Sequence, residues 1–362
     1  MAILLNLLKK ENSNRNMDKY LVLKGCAGIG NRFITLMKAI QYAKLSRRII
    51  YVDWGDGMFD NVGNNIFEEY FVFNYPHTAT LNDLIGALKN GATTYPKSIE
   101  ERDFYIPVYP ESNIASGFDV YTPRIAHKTI YKVGLSIIPL HKLVYLLGLQ
   151  SFQRPEKMEK MSWWKMVNTM YDGKNFPLGS NLWPWLKADI VFFADFRPFV
   201  SMKNFSHYVN LREEYQQIIN GKVVEMMLNE AVGVHIRYTD KKPTAKLATL
   251  MDKLDKLVEK ENCRIFLCTD NADVEKEFKE KYGNHILTTN KYIPKVKQGG
   301  IHIWASQQND NNLKRRMFED SLIDMWLLSK CKYLYWQGNS SFSYISSLLM
   351  NDSKRCIDWT KM

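Results

Sequence analysis

The sequence is poor in several features that would mark it for particular classes. It has five cysteines in 362 residues, Cys26, Cys263, Cys268, Cys331 and Cys356, an odd number with no CxxC pair. That pattern carries neither a disulfide framework nor a zinc site. Long apolar runs are also missing. Met1 to Leu8 is mostly apolar but gives way to Lys9-Lys10-Glu11, and the stretch from Val133 to Leu149 is interrupted by Pro139, His141 and Lys142. Neither reaches the roughly 20 apolar residues of a membrane-spanning helix. A soluble, cytoplasmic protein of a reducing compartment is expected, with no transmembrane segment and with peripheral membrane contact left open. There is no internal repeat and no low-complexity tract. No two aspartates are separated by a single residue, so the D-x-D clamp that carries a metal-bound diphosphate is lacking. No metal site is expected, and any bound phosphate would have to be met by arginine, lysine and helix N-termini.

What is present is a globular composition: 46% apolar residues with 18 Phe, 20 Tyr and 9 Trp. The length exceeds what one hydrophobic core usually organises, so two domains are expected. Lys and Arg number 49 against 38 Asp and Glu, a net charge of +11. The excess fits an anionic partner or simply a lysine-rich surface. No nucleic-acid-binding module is recognisable, and none is expected to bind.

The chain begins with a polar segment, residues 9–18, followed by the apolar strand YLVLKG, the turn GCAGIGNR, a helical stretch RFITLMKAIQYAKLS and a second strand RRIIYVDW. Strand, glycine-rich turn, helix and strand form a βαβ unit. Residues 55–187 show no long clean period. ADIVFFADFRPF reads as a buried strand stopped by Pro198, and Arg212 to Met227 as a helix interrupted at Gly221. Beyond Asn229 strands and helices alternate: EAVGVHIRYTD, TAKLATLMDKLDKLVEK, RIFLCTDN, ADVEKEFKEKYG, MFEDSLIDMWLLSK, KYLYWQ and SSFSYISSLLM. Such alternation predicts a parallel sheet covered by helices on both faces. The expected division is an N-terminal α/β domain over residues 18–205 and a C-terminal Rossmann-like domain over 206–362, meeting near 200–228.

Ligands of parallel sheets collect at the carboxyl ends of the strands. At the exit VGVHIRYTD, His235, Arg237 and Thr239 alternate and should project to one side. The planar, permanently charged guanidinium of Arg237 suits a phosphate. The competing reading is an ion pair with a carboxylate such as Asp240. At FLCTDN, Asp270 would accept hydrogen bonds from a sugar or base, while Asp270 or Asn271 caps the next helix. At YLYWQGNSSFSYIS, a strand turns into a helix opening with Ser340 and Ser341, where free N–H groups and two hydroxyls form an anion site. Asp324, one turn beyond Asp320, sits on either the wet face of its helix or the ligand side; there a carboxylate can accept from an N–H/NH2 base edge. In the front turn, Gly28 and Gly30 would let a ligand approach the backbone, and Asn31 would offer an amide.

The set GVHIRYTD, FLCTD, SLIDMWLLSKCKYL and GNSSFS, together with GCAGIGNR and QYAKLSRRIIYVDW, resembles the nodulation and core α-1,6-fucosyltransferases. These belong to the wider superfamily that also holds α-1,2- and protein O-fucosyltransferases. The resemblance covers roughly residues 20–55 and 190–350. It implies a GT-B type α/β fold, two Rossmann-like domains facing across a cleft, with GDP-fucose in the C-terminal domain. It further implies that His235 contacts the nucleotide, that Arg237 binds the β-phosphate, that Asp324 reads guanine, and that Ser341, with Ser340 beside it, binds the β-phosphate. The reaction implied is metal-independent and inverting, moving fucose from GDP-fucose to a hydroxyl of an oligosaccharide or glycoconjugate, with no cofactor. Two positions depart from the family pattern. Tyr238 stands where a second arginine is common, and Ala245 stands near the position of a glutamate. Asp240 is then the candidate base, with Asp56, Asp195 and Glu68 as alternatives. The departures also admit a transferase of another GDP-sugar, or a catalytically silent nucleotide-sugar- or glycan-binding module.

Overall fold

Two short apolar runs start the fold because each is apolar enough to be buried on both faces. They are β1 (Tyr20–Lys24) and β2 (Ile49–Asp53), parallel and in register from Tyr20 against Ile49 to Lys24 against Asp53. The helix between them, α1 (Ile29–Ser46), ends where Arg47 turns left-handed at φ 54°. In this computed structural model the described residues are 17–25, 27–95, 119–123, 158–162, 187–194, 199–240, 242–296 and 300–362. The apolar start, the stretch Val133–Leu149, the aromatic segment from Trp163 to Trp185, Cys26, Asp195 and Pro198 lie outside them. Next come α2 (Ile66–Tyr70), β3 (Phe71–Phe73), α3 (Leu81–Lys89), β4 (Thr94–Tyr95), β5 (Asp119–Pro123), β6 (Met158–Ser162), β7 (Ile190–Phe193) and β8 (Val209–Leu211). The first sheet is parallel, in the order β2-β1-β7-β4. Antiparallel pairs β3–β8 and β5–β6 stand apart from it.

The second half follows the expected alternation: α4 (Glu213–Glu225), β9 (Val232–Ile236), α5 (Thr244–Glu261), β10 (Ile265–Thr269), α6 (Ala272–Tyr282), β11 (Ile286–Leu287), α7 (Ile301–Ser306), α8 (Asn311–Lys330), β12 (Tyr333–Trp336), α9 (Ser341–Met350) and β13 (Cys356–Asp358). Its five strands are all parallel, in the order β11-β10-β9-β12-β13. Two expectations are corrected. Helix α4 runs through Gly221 without a break, because a single glycine costs a helix only about 1 kcal/mol. The glycine lies in open space and only weakens the helix. Helix α8 starts at Asn311, capped by the Asp310 side chain, rather than near Met317. No helix among the described residues is long and apolar enough to cross a membrane, and the four described cysteines are free thiols.

The apolar core is continuous between the halves. Phe33 of α1 packs edge-on to Trp54, Phe71 and Trp326 of α8, with ring centroids 5.3, 5.3 and 5.8 Å away. Phe59 and Tyr70 both lie 4.9 Å from Phe318 of α8. A second cluster, with Val234, Ile236, Leu250, Leu254, Leu267, Phe278 and Trp359, covers the other face of the C-terminal sheet. The halves approach closely at Gly30. A Cβ on it would lie 2.5 Å from the Ser341 carbonyl carbon and 2.6 Å from the Phe342 nitrogen. Backbone cannot yield as a flexible side chain can, so Gly30→Ala is expected to destabilise the fold by about 1–3 kcal/mol. Gly221→Ala should instead stabilise it by about 0.5–1 kcal/mol. Chemical denaturation of both variants checks the pair.

Candidate functional site

The carboxyl ends of the C-terminal strands open on a cavity that the front turn also lines. Its wall contains Gly28, Gly30 and Asn31 from the turn into α1, then His235 and Arg237 after β9, and Thr269 and Asp270 at the end of β10. It continues with Asp320 and Asp324 of α8, Ser341 and Phe342 of α9, Lys291 and Tyr292 from the segment after β11, and His302 of α7. The structure thus brings most of the sequence-derived candidates to one place. Asp240 and Ser340 are not in the wall.

His235 is buried on β9, its ring stacked on Phe342 at 5.0 Å and 26°, and its carbonyl accepts from the Trp359 indole at 3.1 Å. Arg237 is the first residue past the strand. The buried Gln337 side chain clasps its backbone from both sides: the Arg237 N–H donates to Gln337 Oε1 at 2.8 Å, and Gln337 Nε2 donates to the Arg237 carbonyl at 3.3 Å. The guanidinium forks onto Asp240, Nε to Oδ1 at 2.5 Å and Nη2 to Oδ2 at 2.7 Å. The ion pair weighed in the sequence is therefore formed, while Arg237 still borders the cavity. Thr239 does not join the expected row. The strand ends at Ile236, and Asp270 draws the following loop in, accepting from the N–H groups of Tyr238 (2.6 Å) and Thr239 (3.2 Å) and from the Thr239 hydroxyl (2.5 Å). Both Asp270 oxygens hold the β9 exit, so its observed task is to shape the loop that carries Arg237. Asn271 is the cap of α6, accepting from Asp273 and Val274 N–H at 3.0 Å each.

Asp324 faces the cavity rather than solvent, at 3% exposure. Its Oδ1 accepts from Thr289 at 2.6 Å and its Oδ2 from Lys291 at 2.5 Å. Burial works against the Lys291 ammonium, but the Asp324 carboxylate outweighs it and raises the lysine pKa. Ser340 is the N-cap of α9 and fully buried; its hydroxyl finds no hydrogen-bond partner among the described residues. Ser341 opens the helix on the cavity side. Gly28 faces the His302 ring, 3.6 Å from where its Cβ would lie, and Gly30 serves the packing of α1 on α9. Of the alternative bases, Asp56 is buried against Arg32 at 2.6 Å, whose guanidinium lies over the Trp54 and Phe59 rings, and burial pushes the Asp56 pKa up while Arg32 opposes. Glu68 accepts from Asn65 at 3.0 Å. Neither borders the cavity, and Asp195 lies outside the described residues.

Sequence reasoning missed Lys291, His302 and Gln337. Lys291 and His302 sit in irregular or very short elements with no period to read. Gln337, a polar residue ending an apolar strand, carried a signal that could have been used.

These features define an α/β protein with a pocket of mixed polar and apolar lining where the parallel strands of its C-terminal sheet end. No family profile matches the sequence, and no curated protein matches it. Among solved structures, the fold is similar to NodZ α-1,6-fucosyltransferase soaked with GDP-fucose, at 15% identity and TM-score 0.53 over 92% of each chain. It is likewise similar to fucosyltransferase NodZ from Bradyrhizobium, at 15% identity and TM-score 0.52, covering 92% of this chain and 93% of that one. A third match is NodZ co-crystallised with GDP, at 16% identity and TM-score 0.53 over 92% of each. The fold resemblance expected from the motifs is borne out.

Asp320 offers a pH test of the pocket. Burial, then the charge of Asp324, raises its pKa against the opposing Arg316 and Tyr292 N–H. The folded chain thus keeps this proton to higher pH than the unfolded chain, and the ionised group costs stability above its folded pKa. Asp320→Asn should raise Tm at pH 7, with the gain vanishing as pH falls to about 4, the unfolded carboxylate range. A pH series of thermal melts reads this; a pH-independent difference would contradict it.

Proposed function

We propose that the chain is an inverting, metal-independent glycosyltransferase that moves fucose from GDP-fucose to a hydroxyl of a glycan acceptor. In this reading residues 206–362 hold the donor, residues 18–205 face the acceptor, and the two form a GT-B type pair. The observation that carries it is the meeting of Arg237 and the start of α9 at one cavity, in a fold similar to that of a fucosyltransferase soaked with GDP-fucose. A diphosphate there would meet the Arg237 guanidinium, the first N–H groups of α9 and the Ser341 hydroxyl. Donors fixed before the reaction begins stabilise the charge that develops on a departing GDP. His235, held flat on Phe342, would border the nucleotide, and Asp324 would face its base. Gly28 and Asn31 bring the front turn to the same site.

Asp240 enters this scheme in a new light. Its bidentate hold on Arg237 fixes the plane of the fork, a task separate from the base role that the family resemblance left to it. The two roles differ in what they do to binding.

The test is release of GDP from GDP-fucose with and without an oligosaccharide panel. Arg237→Ala should lower kcat/KM by roughly 10²–10³-fold with the thermal melt retained. Asp240→Asn should weaken GDP binding as well as turnover, because the fork loses its orienting partner. Loss of turnover with GDP affinity unchanged would instead make Asp240 the base. GDP binding without turnover on any acceptor would favour a silent nucleotide-sugar-binding module, the reading that Tyr238 and Ala245 keep in play.

A further inference from the structure

A glycosyl transfer at this cavity needs a destination for the proton of the acceptor hydroxyl. Asp240 has both oxygens on the Arg237 fork and lies outside the cavity wall. Asp56 and Glu68 do not border the cavity either. Of the acids that do, Asp270 holds the β9 exit with both oxygens, and Asp324 accepts from Thr289 and Lys291. Asp320 stands one helical turn from Asp324 and accepts from the Tyr292 N–H, at the end of the wall that would face the purine. His235 is buried with its ring flat on Phe342. Among the carboxylates and imidazoles of the described wall, that leaves His302, half-buried on α7.

Two glycines define the surroundings of His302. Gly300, the residue before α7, has φ −92° and ψ 163°, and Gly28 has φ −65° and ψ 163°. Any residue adopts such extended conformations, so neither glycine is required by its own backbone. Each opens on the histidine. A Cβ on Gly300 would lie 2.8 Å from His302 Nδ1 and Cε1 and also 2.8 Å from Arg237 Nη2. Ring and guanidinium are thus within twice that distance of each other, across the place of a missing side chain. A Cβ on Gly28 would lie 3.6 Å from Cγ and Nδ1 of the same ring. His302 therefore stands close both to the guanidinium and to the front turn, which belongs to the N-terminal half. Trp304, packed on Tyr292 with centroids 5.9 Å apart, ties α7 to the segment after β11.

The anomeric carbon of a nucleotide-bound sugar is one oxygen away from the β-phosphorus. With Arg237 on that phosphate, an acceptor entering along the front turn would meet C1 in the space that His302 borders. We infer that His302 is the general base of the transfer proposed above, an inference that rests on that reading. The acceptor O–H bond breaks and its proton passes to a ring nitrogen of His302. The oxygen's electron pair forms the bond to C1, and the bond from C1 to the β-phosphate oxygen breaks with its pair leaving on GDP. The imidazolium then returns the proton to water. Imidazole suits the task because its ordinary pKa, about 6.5, lies close to the operating pH. The elements around α7 bring Arg237 with its partner Asp240, His235, Asp270, Lys291, Asp320 and Asp324 to this region, and residues 28–31 add no charge. His235 is a second imidazole of the wall, so the assignment is read from variants of His302.

The experiment follows kcat/KM of the full chain between about pH 5 and 8, with GDP-fucose and the oligosaccharide of the panel on which the wild type turns over. GDP affinity by calorimetry and a thermal melt accompany it, in the wild type and in His302→Gln. Wild-type kcat/KM should fall on the acid side with a midpoint of about 6–7. His302→Gln should lower kcat/KM roughly 10²–10⁴-fold, lose that acid limb, and bind GDP within about threefold of the wild type. His302→Asn, smaller and equally neutral, is measured beside it and should behave alike. Turnover kept within about threefold would overturn the inference, as would a slower variant that retains the acid limb. A loss of GDP affinity as large as the loss of kcat/KM would make His302 a donor contact and overturn it too. A wild-type profile flat across the range would do so whatever the variants show. In each of these cases the transferase reading stands. Wild type that binds GDP and turns over on no acceptor removes that reading and the base together.

Discussion

The contact on which the site depends is the one at Gly30. Helix α1 approaches the start of α9 so closely that even a methyl group would run into the backbone of Ser341 and Phe342. That approach seals Phe33, Trp326 and their neighbours into one core shared by the two halves. It also fixes the front turn, Gly28 to Asn31, against the first turn of α9. Phe342, held there, is the plane on which His235 lies. A loosening at this single point would separate the turn, the helix start and the histidine together, since all three walls are referred to it.

A second constraint is a set of ion pairs. Buried pairs join Lys24 to Asp53, Arg32 to Asp56 and Lys291 to Asp324, and the half-exposed Arg315 of α8 bridges Asp60 and Glu69 of the first half. Arg48 satisfies the carbonyls of Tyr20, Ala188 and Asp189. Such pairs cost desolvation, and breaking one partner away is far more harmful than having neither. They fix geometry by making most alternative arrangements expensive. Arg237 differs from the fully buried arginines in standing at the cavity wall, braced by Gln337 on its backbone and by Asp240 on its fork.

The fold of the C-terminal half was readable because each strand there is an apolar run and each helix a periodic one, with a cap at Asn271 where expected. The same logic found His235, Arg237, Asp324 and Ser341, since a parallel sheet exposes its ligand side at strand exits. It could not see that Asp270, at the cavity wall, would also hold Thr239, because a carboxylate at a strand end reads identically whether or not it holds a neighbouring loop. Gly30 was read as a place for ligand; it borders the cavity and also packs α1 against the backbone of α9, and both need the missing side chain. Lys291 and His302 were invisible for a different reason. They reach the cavity through tertiary placement of segments that carry no periodic signal.

The most direct measurement is a crystal structure of the chain grown with GDP. The account places the β-phosphate between the Arg237 guanidinium and the first N–H groups of α9, with the purine edge toward Asp324. GDP bound elsewhere on the surface, or in this cavity with its phosphates turned away from Arg237, would contradict it.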